Sequence, residues 1–444
     1  MRSILIALTT MLFLVSCIHK KNVGQESNGE GWLVLKGVRL IDGMGGIPRD
    51  NVNIVLKDDR IQSILDPKEA LPPRAKVLEL EGKTVIPALM SSHIHLGMTK
   101  GSDVGSRNIS AENDLSQLYK FSKYGVGAVL SLGTDGDEIY KIRADSQRSD
   151  SSLPRVLTAG RGFGVPNGAP PIDMGIDQVY RPRTVAEARK QLKELLAKRP
   201  DVIKIWVDDF HGKMKKKMDP AIYKALIKEA HASKVPVAAH VYYLQDAKLL
   251  VQAGVDILAH SVRDQDIDLE LASLMKTRNV AYIPTLSVDE SQFLYEKKHA
   301  WMDEPFFQGS LDAGVMSWLQ TSYKADPAAR ESLRQAQKNV MALFKSGIVI
   351  GLGTDSGANL ARIQGFSEHR EMELLVDAGI EPVEVIRMAT VNNANILGLT
   401  KDYAGIQPKM KANLIVLDAD PSEDIRNTQK INTVFINGRI IERR

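Results

Sequence analysis

Residues 235–240 read VPVAAH and residues 255–260 read VDILAH. Each run is short and mostly apolar, which is typical of a buried strand. The amphipathic stretch Leu244–Ala253 lies between them and predicts a helix. A strand, a helix and a second strand in this order predict a parallel βαβ unit. Both runs end on a histidine, at the position where the strand is expected to end.

The same alternation continues through the middle of the chain. Eight strand candidates centre on Val85–Leu89, Val126–Leu132, Arg155–Thr158, Val202–Trp206, Val235–Ala239, Val255–Ala259, Val280–Pro284 and Ile348–Leu352. Repeated strand–helix units predict the α/β class and a (β/α)8 TIM-like barrel, which we assign to residues 87–400. Residues 286–345 are long for one connection, so a lid and packed extra helices both stay open.

The two ends of the chain have a different character. Residues 32–86 and 401–444 consist of short β-type runs separated by turn residues. So few strands at either end would be marginally stable alone. We therefore expect one small β-sandwich-like domain built from both chain ends.

The N-terminus has the pattern of a signal peptide of lipoprotein type. Arg2 precedes the apolar run Ile4–Val15, which is too short to span a bilayer comfortably. We assign residues 1–16 to the signal peptide and 17–31 to a tether. Leu14–Cys17 resembles the bacterial lipobox, which implies lipidation of Cys17 and anchoring to a membrane in the periplasm, with the outer membrane favoured. An uncleaved anchor and an ordinary signal peptide with a chance cysteine are the alternatives.

Composition excludes several classes of protein. The 444 residues are 43% hydrophobic and 25% charged, as in ordinary globular proteins. Fifty-eight basic against 54 acidic residues give a net charge of +4, which is too balanced for a dedicated nucleic-acid binder. Cys17 is the single cysteine, so no intrachain disulfide can form. We expect a small-molecule substrate and no nucleic-acid partner, and we leave a homo-oligomer open.

Four histidines lie at the expected ends of barrel strands. His93 and His95 are two apart, so they point to one face of a strand and can chelate one metal ion, although such a pair also arises by chance. His240 and His260 end the fifth and sixth strands, at the rim where barrel active sites are built. A buried structural role is the alternative for both.

Two further residues carry chemistry. Lys204 lies inside an apolar strand, where an ammonium is costly unless it is paired or chemically altered. Snorkelling to the barrel mouth, or pairing with Asp208 or Asp209, is the ordinary alternative. Asp355 follows the eighth strand, where it could also cap a turn or helix.

These residues together resemble the amidohydrolase superfamily, and within it the imidazolonepropionase- and prolidase-like group. The resemblance includes Val-Ile-Pro before His-x-His, Ile-Lys-Ile in the fourth strand, the strand-end histidines and Gly-Thr-Asp. It implies two divalent metal ions, with zinc expected, and an N6-carboxylysine formed with carbon dioxide. By resemblance, His93 and His95 bind the more buried metal ion, and His240 and His260 bind the second. The carboxylated Lys204 would bridge the two ions. Asp355 would bind metal and also act in catalysis.

Three residues near the strand ends are candidates for substrate binding. The resemblance implies that Tyr242 contacts a substrate carboxylate. Arg161 and Arg263 could pair with an anionic group of the substrate, although salt bridges within the loops are an equal alternative.

The sequence therefore predicts a hydrolase. A metal-activated water would attack the C–N bond of a peptide, an amide or a cyclic amide. A lactonase or phosphoesterase could use the same metal pair. A deaminase is a further alternative, although by resemblance deaminases lack the strand-four lysine. A tethered, non-enzymatic binding lipoprotein is disfavoured by the full set of metal-type residues.

Overall fold

The computed structural model describes residues 31–171, 175 and 178–442. The predicted signal peptide, Cys17 and nearly all of the tether lie outside the described residues. The strands are β1 Trp32–Leu40, β2 Arg49–Lys57, β3 Arg60–Leu65, β4 Lys76–Glu79, β5 Thr84–Pro87, β6 Leu89–Ile94, β7 Thr99–Lys100, β8 Asp103–Val104, β9 Val126–Ser131, β10 Arg155–Thr158, β11 Ile203–Trp206, β12 Val237–His240, β13 Ile257–Ala259, β14 Ala281–Ile283, β15 Leu414–Leu417, β16 Ile431–Ile436 and β17 Arg439–Ile440.

The α-helices alternate with the central strands. They are α1 Ala111–Lys123, α2 Ile139–Ser146, α3 Val185–Leu196, α4 Pro220–Ala232, α5 Leu244–Ala253, α6 Leu269–Arg278, α7 Ser287–Glu290, α8 Pro305–Gln308, α9 Val315–Thr321, α10 Ala329–Lys345, α11 Phe366–Asp377, α12 Pro382–Arg387, α13 Asn393–Ile396 and α14 Thr400–Tyr403. Local chemistry sets several helix starts, because the side chains of Ser110, Thr184 and Asp268 accept backbone N–H bonds from the first turns of α1, α3 and α6.

Strands from both chain ends join in one sheet. Its path is β17-β16-β15-β5-β1-β2-β3, and β4 pairs with β1. The junction is the antiparallel pair β5–β15, in which Val85 lies opposite Val416. Val85, Leu414 and Phe435 belong to one apolar cluster that buries this face. That the sheet forms a small β-sandwich-like domain of its own stays a prediction.

The central strands form two parallel sheets, β10-β9-β6 and β11-β12-β13-β14. Backbone hydrogen bonds connect their edges. On one side, Phe163 N beyond β10 donates to Lys204 O of β11 at 2.8 Å. On the other side, Gly351 N donates to Tyr282 O of β14 at 3.0 Å, and Ser92 N of β6 donates to Leu352 O at 2.8 Å. The architecture is a TIM-barrel-like α/β fold, although the described residues do not form one continuous eight-stranded sheet.

Two predicted strands differ from the structure. Val85–Leu89 is divided, because Pro87 ends β5 in the terminal sheet and the chain enters the parallel sheet at Leu89. An apolar run cannot show that its two halves belong to different sheets. Ile348–Leu352 makes only an isolated bridge, at Ile350, because its backbone follows β14 for a very short distance.

The long segment between β14 and α11 contains packed helices. Trp301, Phe307, Leu319 and Phe366 belong to one buried or partly buried apolar cluster. The Trp301 and Phe366 rings stack at 5.1 Å between centroids. This packing agrees with extra helices, the second of the two alternatives for residues 286–345. Within the described ranges, no helix has both the length and the apolar character needed to cross a membrane.

Candidate metal centre

Buried imidazole and carboxylate groups meet at the ends of the parallel strands. His93, His260 and Asp355 place one ligand atom each within 4.8 Å of one another. Asp355 Oδ1 lies 3.1 Å from His93 Nε2 and 2.7 Å from His95 Nε2. The His240 ring lies 4.3 Å from the His260 ring between centroids. The fold thus brings together the four histidines and the aspartate that the sequence singles out.

Threonine hydroxyls orient two of these histidines. His95 Nδ1 lies 2.6 Å from Thr134 Oγ1, and His260 Nδ1 lies 2.7 Å from Thr285 Oγ1. Each contact occupies Nδ1, so Nε2 is the nitrogen left for a metal ion. Oxygen partners of this kind are typical of metal-binding histidines, because they fix the tautomer and the ring orientation.

Lys204 is fully buried beside this cluster. Its Nζ has no hydrogen-bond partner among the residues that the structure describes, and it lies 5.0 Å from the centroid of the Trp206 ring. In the described structure it neither reaches solvent nor pairs with Asp208 or Asp209. Burial lowers the pKa of Lys204 to about 7, an effect that Asp355 and Asp208 oppose. A neutral amine is therefore accessible at this position near pH 7.

The loop after β9 is closely fitted to Lys204. A Cβ on Gly133 would lie 2.8 Å from Lys204 Cγ and 2.8 Å from an atom of the Trp206 ring. The φ of Gly133 is +101°, which L side chains rarely adopt. Glycine at this position therefore lets the backbone approach the lysine.

Burial keeps His93, His240 and His260 neutral, and Asp355 stays ionised. Burial, followed by the charge of Lys204, lowers the pKa of His93 to about 3. Burial also lowers the pKa values of His240 and His260 well below 6.5. Burial alone would raise the pKa of Asp355, but Arg362, His95 and His93 hold it well below its usual value. Neutral imidazoles and an ionised carboxylate are the forms that bind metal ions.

Arg362 is a site residue that sequence reasoning missed. Its Nη2 lies 2.9 Å from Asp355 Oδ2, and its Nε donates to Asp355 O at 3.0 Å. The side chain of Asp355 therefore faces histidines and an arginine, so a helix cap is not its role. No sequence pattern predicts a role for Arg362, because its position depends on the conformation of the loop after Asp355.

Several residues around the site have strained backbone conformations. His260, Thr285 and Asp355 have φ values of 74°, 48° and 57°, in the left-handed region that few non-glycine residues adopt. Phe210 and His211, at the same rim, have φ values of 50° and 62°. Each such residue costs on the order of 1–3 kcal/mol and is often found at functional sites.

A cavity of about 350 Å³ opens beside Tyr242. Its lining consists of His211, Tyr242, Tyr243, Arg263, Asp264, Ala328, Glu331 and Ser332. The Tyr242 hydroxyl lies 2.6 Å from His211 Nε2, and the Arg263 guanidinium lies 4.8 Å from the centroid of the Tyr242 ring. Arg263 also forms a buried ion pair with Asp289 at 3.1 Å. His211 was not expected here, since nothing in the sequence ties it to Tyr242.

Arg161 lies apart from this cavity. Its side chain is 40% exposed, and its nearest carboxylate is Asp137 at 3.9 Å. Of the two predicted arginines, Arg263 lines this cavity and Arg161 does not. A role for Arg161 in substrate binding stays a prediction.

The donor set fits a divalent metal ion of the zinc type. The Nδ1 atoms of His93 and His240 are buried and have no hydrogen-bond partner in the described structure, and His93 Nε2 has only the contact with Asp355 Oδ1 at 3.1 Å. Together with the Asp355 carboxylate they supply the nitrogen and oxygen ligands that such ions prefer. The expected metal-binding character of the site is therefore supported, although neither the number nor the identity of the ions is tested.

Residues 84–441 match the model of the Amidohydrolase family. The chain belongs to this family. Membership supports the expected hydrolase, and members of this family generally use divalent metals. The narrower imidazolonepropionase- and prolidase-like group is not confirmed.

Relatives of this amidohydrolase carry different names. A protein of Mycobacterium bovis named only as uncharacterized is 24% identical over 368 residues, which cover 81% of this chain and 85% of the relative. A 5'-deoxyadenosine deaminase of Methanothermobacter thermautotrophicus is 22% identical, and the match covers 93% of each chain.

Among solved structures, a Xaa-Pro dipeptidase with methionine bound in its active site has a TM-score of 0.74 at 21% identity, over 93% of this chain and 100% of that one. Molinate hydrolase has a TM-score of 0.72 at 18% identity, over 93% and 95%. These likenesses show the fold.

Proposed function

We propose that this amidohydrolase is a metal-dependent hydrolase of C–N bonds in peptides, amides or cyclic amides, of the imidazolonepropionase- and prolidase-like group. The observation that carries the proposal is Lys204, a fully buried amine with no hydrogen-bond partner in the described part of the chain. Such a group is costly unless it is chemically altered or bound. It lies near His93 and His240, whose pKa values its charge lowers.

The chain offers ligands for two metal ions. We assign the more buried ion to His93 and His95, the second to His240 and His260, and a completing ligand to Asp355. When bound, such ions supply a nucleophile from water at neutral pH and polarise the scissile carbonyl. The site's burial excludes bulk water from these groups.

Lys204 would bridge the two positions as a carbamate. The neutral amine nitrogen forms a bond to the carbon of carbon dioxide, and one N–H proton passes to solvent. The product would be N6-carboxylysine, an anion whose two oxygens would be available as metal ligands. No oxidant or reductant is required, and the anion replaces an ammonium that two dications would repel.

Asp355 would act as the proton shuttle. Its carboxylate takes the proton from the attacking water and then gives it to the leaving nitrogen. Arg362 assists because it keeps Asp355 ionised before the reaction. The exchange conserves the proton, so no other acid is needed.

The cavity beside Tyr242 suits a small-molecule substrate with an anionic group. Tyr242, His211 and Arg263 offer polar groups on its wall, which also contains Asp264 and Glu331, and Arg263 keeps its ion pair with Asp289 at 3.1 Å. Arginine and tyrosine donors of this kind recognise carboxylates. We propose Tyr242 and Arg263 as substrate-binding residues, with His211 added by the structure.

A substrate panel tests the reaction class. Purified zinc-loaded protein is assayed with dipeptides, N-acyl amino acids, cyclic amides, lactones, phosphotriesters and aminopurine nucleosides. We expect turnover of at least one C–N substrate class with release of a carboxylate and an amine. Asp355→Asn should lose at least about 100-fold of that turnover, whereas Asp326→Asn, at an exposed loop position, should not.

Other outcomes of the panel contradict the proposal. Turnover of lactones or phosphotriesters alone would favour a lactonase or phosphoesterase. Release of ammonia from the nucleosides alone would favour a deaminase, the activity that the Methanothermobacter relative's name states. Metal binding with no turnover of any class would favour the non-enzymatic binding lipoprotein.

We also propose that Cys17 is lipidated and anchors the enzyme to a membrane in the periplasm, with the outer membrane favoured. The support is Leu14–Cys17, which follows a charged start and an apolar run. Cells expressing wild type and Cys17→Ala are fractionated and the protein mass is measured. Wild type should sediment with membranes and carry lipid, whereas Cys17→Ala should not. An unlipidated wild type that stays soluble would contradict the proposal.

A further inference from the structure

The loop after β11 lies against the end of β12. Within it, Asp208 Oδ2 lies 3.3 Å from His240 Nε2. Phe210 stacks on the His240 ring, with 4.8 Å between centroids and 3° between the planes. His211 stacks on Tyr242 at 4.1 Å. One loop therefore contacts both a candidate metal ligand and a candidate substrate-binding residue.

Asp208 is a buried carboxylate with one free oxygen. Its side chain is 0% exposed, and Oδ1 accepts the backbone N–H of Phe210 at 3.0 Å. Oδ2 lacks an aligned hydrogen bond, and among the described residues no lysine or arginine nitrogen lies within 4.0 Å of it. Leaving a buried carboxylate in this condition is costly. A function for Oδ2 would explain why it is retained.

The hydrogen-bond partners of the other histidines at the centre offer a comparison. In His95 and His260 a threonine hydroxyl contacts Nδ1, so Nε2 is left for the metal position. His240 is arranged the other way round. The carboxylate of Asp208 lies beside its Nε2, while Nδ1 is buried and has no hydrogen-bond partner within the described ranges.

Stacking alone cannot establish this orientation. Phe210 holds the plane of the His240 ring, but a ring turned by 180° about its last side-chain bond would stack equally well. Only a polar neighbour distinguishes the two orientations. Asp208 favours the one in which Nε2 carries the proton and faces the carboxylate.

We propose that Asp208 is a positioning residue that accepts the Nε2–H of His240 and thereby presents Nδ1 of His240 to the second metal ion. The inference rests on the proposed function, since it assigns a role relative to that metal. A carboxylate partner also makes the imidazole a stronger donor and offsets part of the charge of the ion. The loop after the lysine strand would thus help to build the metal centre.

Cobalt binding to the full-length, metal-free protein tests the role. Co²⁺ is titrated into wild type, Asp208→Ala and Asp208→Asn, with its visible absorption and its affinity as readouts. Partners of this kind contribute about 10–100-fold to metal affinity. We expect Asp208→Ala to bind one of the cobalt equivalents at least about 10-fold more weakly, with a changed absorption band. Asp208→Asn keeps an acceptor but loses the charge, so its affinity should fall between those of wild type and Asp208→Ala.

Asp256→Asn is the matched control. Asp256 Oδ2 lies 2.8 Å from His231 Nε2, which is also an aspartate–histidine pair, but a partly exposed one that lies away from the centre. The Asp256→Asn variant should bind cobalt with the affinity of wild type. Thermal unfolding shows whether each variant is folded. If Asp208→Ala does not fold, the cobalt titration of Asp208→Asn tests the inference in its place.

A double-mutant cycle shows whether Asp208 acts through His240. In a His240→Ala background, Asp208→Ala should weaken cobalt binding no further. Wild-type affinity and absorption in the Asp208 variants would overturn the inference, as would a full additional loss in the His240→Ala background. Failure of wild type itself to bind cobalt would instead overturn the proposed function.

Discussion

Replacing Lys204 with methionine should stabilise the metal-free protein. Burial lowers the pKa of this amine from 10.5 to about 7, so the folded chain at pH 7 disfavours a charge that the unfolded chain carries freely. Each pKa step of one corresponds to about 1.4 kcal/mol, so the lowered pKa costs at most about 5 kcal/mol at pH 7. Methionine has a similar volume and no charge, and we therefore expect Lys204→Met to raise the free energy of unfolding by about 2–4 kcal/mol at that pH.

The pH dependence has a definite sign. Between pH 7 and 10.5 the unfolded state binds the proton more strongly than the folded state, so the wild-type free energy of unfolding rises with pH through this window. Below pH 7 both states hold the proton and the cost levels off. The advantage of Lys204→Met should therefore shrink to about 1 kcal/mol or less at pH 10.

Urea unfolding followed by circular dichroism measures both values. The protein is kept with a chelator in buffer free of carbon dioxide, at pH 7 and at pH 10. Lys224→Met, at an exposed position of α4, is the control and should change the free energy of unfolding by no more than about 0.5 kcal/mol. An advantage of Lys204→Met that is absent at pH 7, or equal at both pH values, would refute the account of a buried amine.

Two further perturbations test the site. Arg362→Met removes the guanidinium that helps to hold the pKa of Asp355 low. The acidic limb of its kcat/KM profile should therefore lie at a higher pH than that of wild type, by about one pH unit. Identical acidic limbs for the variant and wild type would contradict this role of Arg362. Gly133→Ala adds a Cβ 2.8 Å from Lys204 Cγ in a left-handed backbone, whereas Gly82→Ala meets open space at a φ of +77°. Gly133→Ala should therefore lower the free energy of unfolding by about 1–3 kcal/mol more than Gly82→Ala, as measured by urea unfolding, and equal losses would contradict the packing argument.

The residues that the sequence could locate are those placed by a local pattern. His240 and His260 each end a short apolar run, and a parallel strand carries its last residue to the same rim as its neighbours. Lys204 is conspicuous because a charge interrupts an apolar strand. Such patterns involve only a few neighbouring residues, so they can be recognised without knowledge of the tertiary structure.

The residues that the sequence could not locate are placed by loops. Asp208 and Arg362 reach their partners through the loops after β11 and after Asp355, where hydrophobic periodicity gives no information. The division at Pro87 was missed for a related reason, because the residues on both sides are equally apolar. Which sheet a strand joins depends on partners far away in the chain, such as β15 for β5.

Metal content measured together with turnover tests the central claim most directly. Wild type and Lys204→Ala are reconstituted with zinc and bicarbonate, dialysed, and analysed for zinc per chain and for hydrolysis of the best C–N substrate. Two equivalents and full turnover are expected for wild type. Lys204→Ala should retain about one equivalent and lose most of the turnover, with partial recovery when a short carboxylate is added. A Lys204→Ala protein with two zinc ions and wild-type turnover would contradict the account.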